Sequence, residues 1–124
     1  MDGKNPLSAI ISSGITKIAK VGFKYKDNGI VTAGGKGGKE NVYEFKDGEY
    51  ITKMTVCKGR KNLISPYYIS YIKFTTNLNN TISAGKYNLY NEKTFEAPKG
   101  YSIAGFIGYS NDAINKLGCV YQKI

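Results

Sequence analysis

What most limits the folds open to this chain is how often it is forced to turn. Breaks recur at Asp27-Asn28-Gly29, Gly34-Gly35-Lys36-Gly37-Gly38, Asp47-Gly48, Lys58-Gly59, Ser65-Pro66, Asn79-Asn80, Pro98-Lys99-Gly100 and Asn111-Asp112. Gly, Asn, Asp and Pro punctuate a chain because each favours turn conformations for a physical reason of its own. The runs between them are short and alternate with period two, as half-buried strands do. The pattern predicts an all-β sandwich, barrel or prism. At 124 residues, one domain over 1–124 is expected.

Individual strands are legible. In Lys20 to Lys26, Val21, Phe23 and Tyr25 face one side, and Lys20, Lys24 and Lys26 face the other. Tyr50 to Lys58 and Tyr67 to Thr75 read as longer strands. In the second, Ile69 and Tyr71 oppose Ile72 and Phe74, which predicts that both faces are covered. Ser102 to Ile107 and Leu117 to Gln122 supply the last two strands.

One segment fits two structures. Asn5-Pro6 is a good helix start, and Leu7, Ile10, Ile11, Ile15 and Ile18 recur at helical spacing. That pattern describes a basic amphipathic helix of the kind that lies on a membrane surface. Ser12-Ser13-Gly14 and the β-branched excess are poor for helix, so two strands broken at Gly14 are favoured.

Composition excludes much chemistry. There is no His and no Trp. The commonest general base and zinc ligand is therefore absent, and no Ser–His or Cys–His nucleophile pair can form. Cys57 and Cys119 are too far apart for a metal motif and could make at most one disulfide. The nine acidic residues contain no evident close pair. A binding module is expected rather than an enzyme, with no cofactor and no metal. The apolar runs are short, such as Ile103 to Ile107, so no transmembrane segment is expected. No charged and apolar leader is apparent either.

The net charge is +9, which favours anionic partners. Arg60 is the only Arg, and the 17 Lys are dispersed along the chain. Arg is the residue suited to bidentate phosphate contact, so nucleic acid is not an expected partner. Two local clusters remain, Lys36 with Lys39, and Lys58 with Arg60 and Lys61. No repeat is visible in identity, only a faint pattern in which each third holds a few strands ended by a Gly-bearing turn.

In family order, several pieces resemble a jacalin-related lectin from about Ile15 onward. They are Ile15 to Tyr25, the glycine loop Gly34 to Gly38, and Gly48-Glu49-Tyr50-Ile51. Ile69 to Asn77, Thr94-Phe95, Ile103 to Ser110 and Leu117-Gly118 follow. The resemblance implies a β-prism of three four-stranded Greek-key sheets with pseudo-threefold symmetry. It also implies a metal-independent sugar site at one end, built on a final loop patterned Gly-x-x-x-Asp. There backbone N–H groups and a carboxylate bind adjacent hydroxyls, and a carboxylate can accept two charge-assisted hydrogen bonds at once.

Two departures are plain. Counting back from Leu117-Gly118, the family's Gly and Asp fall on Asn111 and Asn115, while Asp112 stands four after Gly108 in another register. At the amino end only Gly3 remains of a first glycine loop, so the amino-terminal strand is expected to be short or missing. Gly34 to Gly38 would face the turn around Gly14, but that turn carries no acid. The candidate carbohydrate site is therefore Asn111, Asp112, Ala113 and Asn115, with Tyr109 as an aromatic contact and Gly34 and Gly35 as a rim. The expected partners are glycans of mannose or galactose type, with a sulfated glycan as a further candidate and a homo-oligomer for avidity. The alternatives are a prism that has lost the neutral-sugar site and binds polyanions, either sulfated glycan or acidic membrane, and an interaction domain of a larger toxin or adhesin. The compartment stays open, although Asn79-Asn80-Thr81 is a glycosylation sequon.

Overall fold

The computed structural model describes residues 5–27, 29–110 and 114–124, apart from the side chains of residues 90, 109, 110, 115 and 116. Ten strands are present among them. β1 (Ser8–Ser13), β2 (Ile18–Lys24), β3 (Ile30–Gly34) and β4 (Lys39–Glu44) come first. β5 (Ile51–Gly59), β6 (Tyr68–Thr76), β7 (Thr81–Gly85) and β8 (Glu92–Glu96) follow. β9 (Tyr101–Ser110) and β10 (Ile114–Lys123) complete the chain. A short 3-10 turn at Leu89–Asn91 leads into β8, and no α-helix occurs among the described residues.

The segment that fits two structures is two strands. Gly14 N donates to Lys17 O at 2.9 Å and closes a reverse turn between β1 and β2. Pairing with β2 on one side and β4 on the other satisfies the β1 backbone, and Ala9 and Ile11 are buried. Ile15, which a helix would bury, is exposed on the turn.

The first sheet has the order β3-β2-β1-β4, and the second repeats it as β7-β6-β5-β8. In each, three consecutive antiparallel strands are joined by a fourth that returns beside the first, which is a Greek key. The third face holds the long β9–β10 hairpin, joined to the second sheet where Ile51 pairs with Ile103. No strand precedes β1 among the described residues, and β1 belongs to the first sheet.

The two sheets also turn by the same device. Gly34 ends β3 and Gly85 ends β7, with φ of 108° and 91°. A Cβ on Gly34 would stand 2.1 Å from Ala19 O, and one on Gly85 would stand 2.1 Å from Ser70 O. The next residue then donates its N–H to that same carbonyl, Gly35 to Ala19 at 2.9 Å and Lys86 to Ser70 at 2.6 Å. The faint repeat in the sequence is thus a structural repeat carried by backbone geometry, with different side chains.

The three faces meet at aromatic rings. Phe23 on β2 packs 5.4 Å from Phe74 on β6 and 5.0 Å from Phe106 on β9. Ile18, Val21, Ile51, Met54, Ile72, Ile103 and Ile114 fill the core around them. Tyr25, just past β2, is half-buried, and its hydroxyl donates to Ala104 O at 2.6 Å, tying the first sheet to β9. Burial raises its phenol pKa.

β6 departs from the expectation that both its faces are covered. Pairing shifts register between Cys57 opposite Tyr71 and Lys58 opposite Ile69. This irregularity brings Ile69 to the same core as Ile72 and Phe74 and leaves Tyr71 partly exposed. Both cysteines are free thiols. Cys119 lies 3.8 Å from Met54 Sδ, and burial pushes its pKa up to about 12. Burial raises Cys57 as well.

A buried carboxylate fastens the end of the molecule away from the glycine loop. Glu49 accepts hydrogen bonds from Thr76 Oγ1 at 2.7 Å, Asn80 Nδ2 at 2.8 Å and Lys46 N at 3.0 Å, with the Tyr43 hydroxyl at 3.3 Å from both oxygens. Burial alone would raise its pKa. The hydrogen bonds from Asn80, Lys46, Thr76 and Tyr43 outweigh that and hold it below the usual value.

Candidate functional site

Strand direction sorts the connections between two ends. Residues 14–17, 35–38, 60–67 and 86–91 lie at one end, here called the tip, as do the Ser110 end of β9 and the Ile114 end of β10. Residues 25–27 and 29, 45–50, 77–80 and 97–100 lie at the other. The turn 14–17 and the loop 60–67 occupy corresponding positions, each joining the first two strands of a sheet, and the paired ends of β9 and β10 stand in the same relation on the third face. The loops 35–38 and 86–91 correspond in the same way, each joining the third strand of a sheet to the fourth.

The residues picked out from sequence divide accordingly. Asn111, Asp112 and Ala113 lie outside the described residues. Tyr109 is in β9 at the tip, paired with Lys116. Asn115 is in β10, at the irregularity between Ile114 and Lys116. Gly34 and Gly35 sit against the backbone of Ala19 at the start of β2, beside the turn around Gly14. The expected facing of glycine loop and turn is therefore present. Lys17 on that turn reaches the other way, with its ammonium 4.8 Å from the centre of the Tyr68 ring.

Gly34→Ala tests this geometry. The added methyl meets a carbonyl and must adopt a backbone conformation that L-residues avoid. A loss of about 1–3 kcal/mol in unfolding free energy is expected, read by thermal denaturation. An unchanged midpoint would show that the glycine loop is not held as described.

The tip carries a feature that the sequence reading only partly caught. A cavity of about 510 Å³ opens between the loops 60–67 and 86–91 and the turn 14–17. Arg60, Tyr67, Tyr68, Lys86, Tyr87 and Asn91 line it. The Arg60 guanidinium lies 4.5 Å from the centre of the Tyr67 ring, and Lys58 Nζ lies 6.0 Å from it. Asn88 Nδ2 donates to Lys58 O at 3.2 Å, joining the two loops. Lys58 and Arg60 were visible as a basic cluster. The Tyr67-Tyr68 pair and the Lys86-Tyr87-Asn88 run were the further signal, and only the pairing of β6 with β7 brings them together.

A second cavity, of about 570 Å³, lies at the opposite end beside Pro6, Phe45 and Ile124. Among the described residues, no three acidic or thiol side chains are grouped as a metal would require.

A family model described as a jacalin-like lectin domain matches residues 2–120. Comparison with curated protein sequences finds no match. Among solved structures, the chain is similar to AcmJRL, a mannose-binding jacalin-related lectin from Ananas comosus. It is 21% identical, with a TM-score of 0.75, covering 97% of this chain and 83% of that one. It is similar to wild-type Malaysian banana lectin at 23% identity and a TM-score of 0.80, covering 100% and 87%. It is also similar to artocarpin in its complex with mannotriose, at 18% identity and a TM-score of 0.80, covering 98% and 87%. At these identities the likeness is one of fold, and that fold is the β-prism.

Proposed function

The chain belongs to the jacalin-like lectin family, and from that membership we propose that residues 1–124 form one carbohydrate-binding domain, non-enzymatic and independent of metal. The observation that carries this reading is the family match from residue 2 to residue 120, which takes in the β9–β10 link at the tip. Solved relatives of the same fold include a mannose-binding lectin and a mannotriose complex.

In this reading the sugar sits on that link. Asp112 accepts hydrogen bonds from a pair of hydroxyls, or Asn115 does so in the other register. Backbone N–H groups of Asn111 and Ala113 donate, Tyr109 offers an apolar face, and Gly34 and Gly35 form the rim. Position 115, where the family pattern has Asp, is Asn, so Asp112 is the charged acceptor in this stretch. Few contacts must offset the loss of rotation and translation, so one site binds weakly. A homo-oligomer presenting several sites supplies useful strength.

A glycan array followed by calorimetry with mannose- and galactose-type ligands tests the reading. The expected result is millimolar to micromolar binding that the Asp112→Ala/Asn115→Ala double variant abolishes, since a hydrogen bond to a charged acceptor contributes about 1.5–3 kcal/mol. No glycan bound at millimolar concentration, or a double variant that binds like the parent, would overturn it.

A further inference from the structure

We propose that the tip cavity at the ends of β5, β6 and β7 is a second binding site, separate from the β9–β10 link, and that it takes a saccharide bearing a sulfate or carboxylate group. The position is one of three that the fold repeats at the tip. Here the corresponding connections are eight and six residues long, against four in each of the corresponding connections of the first sheet. The extra length builds a cavity. Its volume of about 510 Å³ falls within the range of ordinary small-molecule sites, about 300–1,000 Å³.

The chemistry of the walls selects the ligand. None of the lining residues is acidic, and two, Arg60 and Lys86, are cationic. Two more cations stand on the tyrosine rings that wall it, Lys17 on Tyr68 and Lys58 on Tyr67. A carboxylate tied to the wall is that of Glu92, which accepts a hydrogen bond from the Tyr87 hydroxyl at 2.8 Å. Four positive side chains around one concavity focus the field of a chain whose net charge is +9. Arg60 donates from Nη1 to Leu63 O at 3.3 Å, and its planar guanidinium has further N–H donors for the oxygens of an anion.

A bare anion would need only the cations. Tyr67, Tyr68 and Tyr87 add apolar ring faces for C–H contact, and Asn91 adds an amide for a hydroxyl. The Tyr68 ring is laid in place by Gly59, where a Cβ would come within 3.2 Å of it. Tyr87 is fixed edge-on against Tyr71, with ring centres 5.4 Å apart. Cations beside positioned rings and an amide describe an acidic sugar better than they describe a flat membrane surface.

The test is calorimetric titration of the whole chain with a heparin-derived tetrasaccharide, with its fully desulfated counterpart, and with a tetragalacturonate, each in 50 and 150 mM salt. Arg60→Gln/Lys86→Gln removes two charges at the cavity. Lys24→Gln/Lys99→Gln removes two at the opposite end and controls for the overall field. The expected result is binding of at least one acidic tetrasaccharide in 150 mM salt, weakened at least tenfold by the cavity variant and less than threefold by the control. The cavity variant should leave any neutral-sugar binding at the β9–β10 link unchanged, so the two sites fail independently. Binding of the heparin tetrasaccharide but not of its desulfated counterpart or the tetragalacturonate, which carry carboxylates alone, identifies sulfate as the group recognised, and binding of those two identifies carboxylate. Equal weakening by both variants would reduce the effect to diffuse charge and overturn the proposal. So would loss of all binding between 50 and 150 mM salt. Binding to vesicles of 30% phosphatidylserine with no binding of any of the three tetrasaccharides would overturn it in favour of a membrane.

Discussion

Phe23→Ala is expected to lower the unfolding free energy by about 4 kcal/mol, against about 1.5 kcal/mol or less for Phe23→Leu. The reason is where the ring stands. Phe74 and Phe106 reach it from two other faces, with ring centres 5.4 and 5.0 Å away. Truncation removes the transfer energy of one side chain and strands two aromatic neighbours against a void. Because the three faces share this one contact, local collapse cannot close it without moving a whole sheet. Val42→Ala, on a side chain more than half exposed in β4, should change stability by no more than about 0.5 kcal/mol. Chemical denaturation of the three variants measures the difference. A Phe23→Ala loss as small as that of Val42→Ala would mean that the faces do not meet at these rings.

Glu49→Gln comes next, with an expected loss of about 2–4 kcal/mol from an almost isosteric change. Thr76 Oγ1, Asn80 Nδ2 and Lys46 N all donate to the carboxylate. A glutamine amide turns one acceptor into a donor, so a buried donor is left facing another. The same network fixes a pH signature. The Glu49 pKa is lowered in the folded state from an ordinary value of 4.5. Its contribution to stability is therefore complete above pH 4.5 and is lost as the pH falls through the lower folded-state value. Denaturant unfolding followed from about pH 7 down to about pH 2.5 should show the parent losing this increment in acid. The Gln variant, lacking the group, should show a correspondingly flatter profile. Parallel profiles would remove Glu49 from the account of acid sensitivity.

The two residues differ in how far the sequence announced them. Phe23 was legible, because Val21 and Phe23 alternate with Lys20 and Lys24 and alternation states which side is buried. The turns were legible for the same local reason, and so was the break at Gly14. Glu49 was not, since its partners Thr76 and Asn80 arrive from a turn far along the chain. The inward turn of Ile69 was missed because one irregular pairing overrides strict alternation. The tip cavity was half legible. Lys58, Arg60 and Lys61 sit together in sequence, but their aromatic counterparts at 67, 68 and 87 meet them only through strand pairing. The structural repeat escaped identity matching because it survives in backbone devices, such as the glycines at 34 and 85, rather than in side chains.

The meeting of Phe23, Phe74 and Phe106 also bears on how the protein is made. A ribosome releases Phe23 early and Phe106 late, so the first sheet emerges with its apolar side uncovered. Phe74 brings part of the cover with the second sheet, and the cover is complete only once Phe106 has cleared the exit tunnel. Folding speed falls as native contacts become more distant along the chain, and an incompletely enclosed sheet is open to association with other nascent chains in the meantime. The window of vulnerability is set by the rate of translation between Phe23 and Phe106.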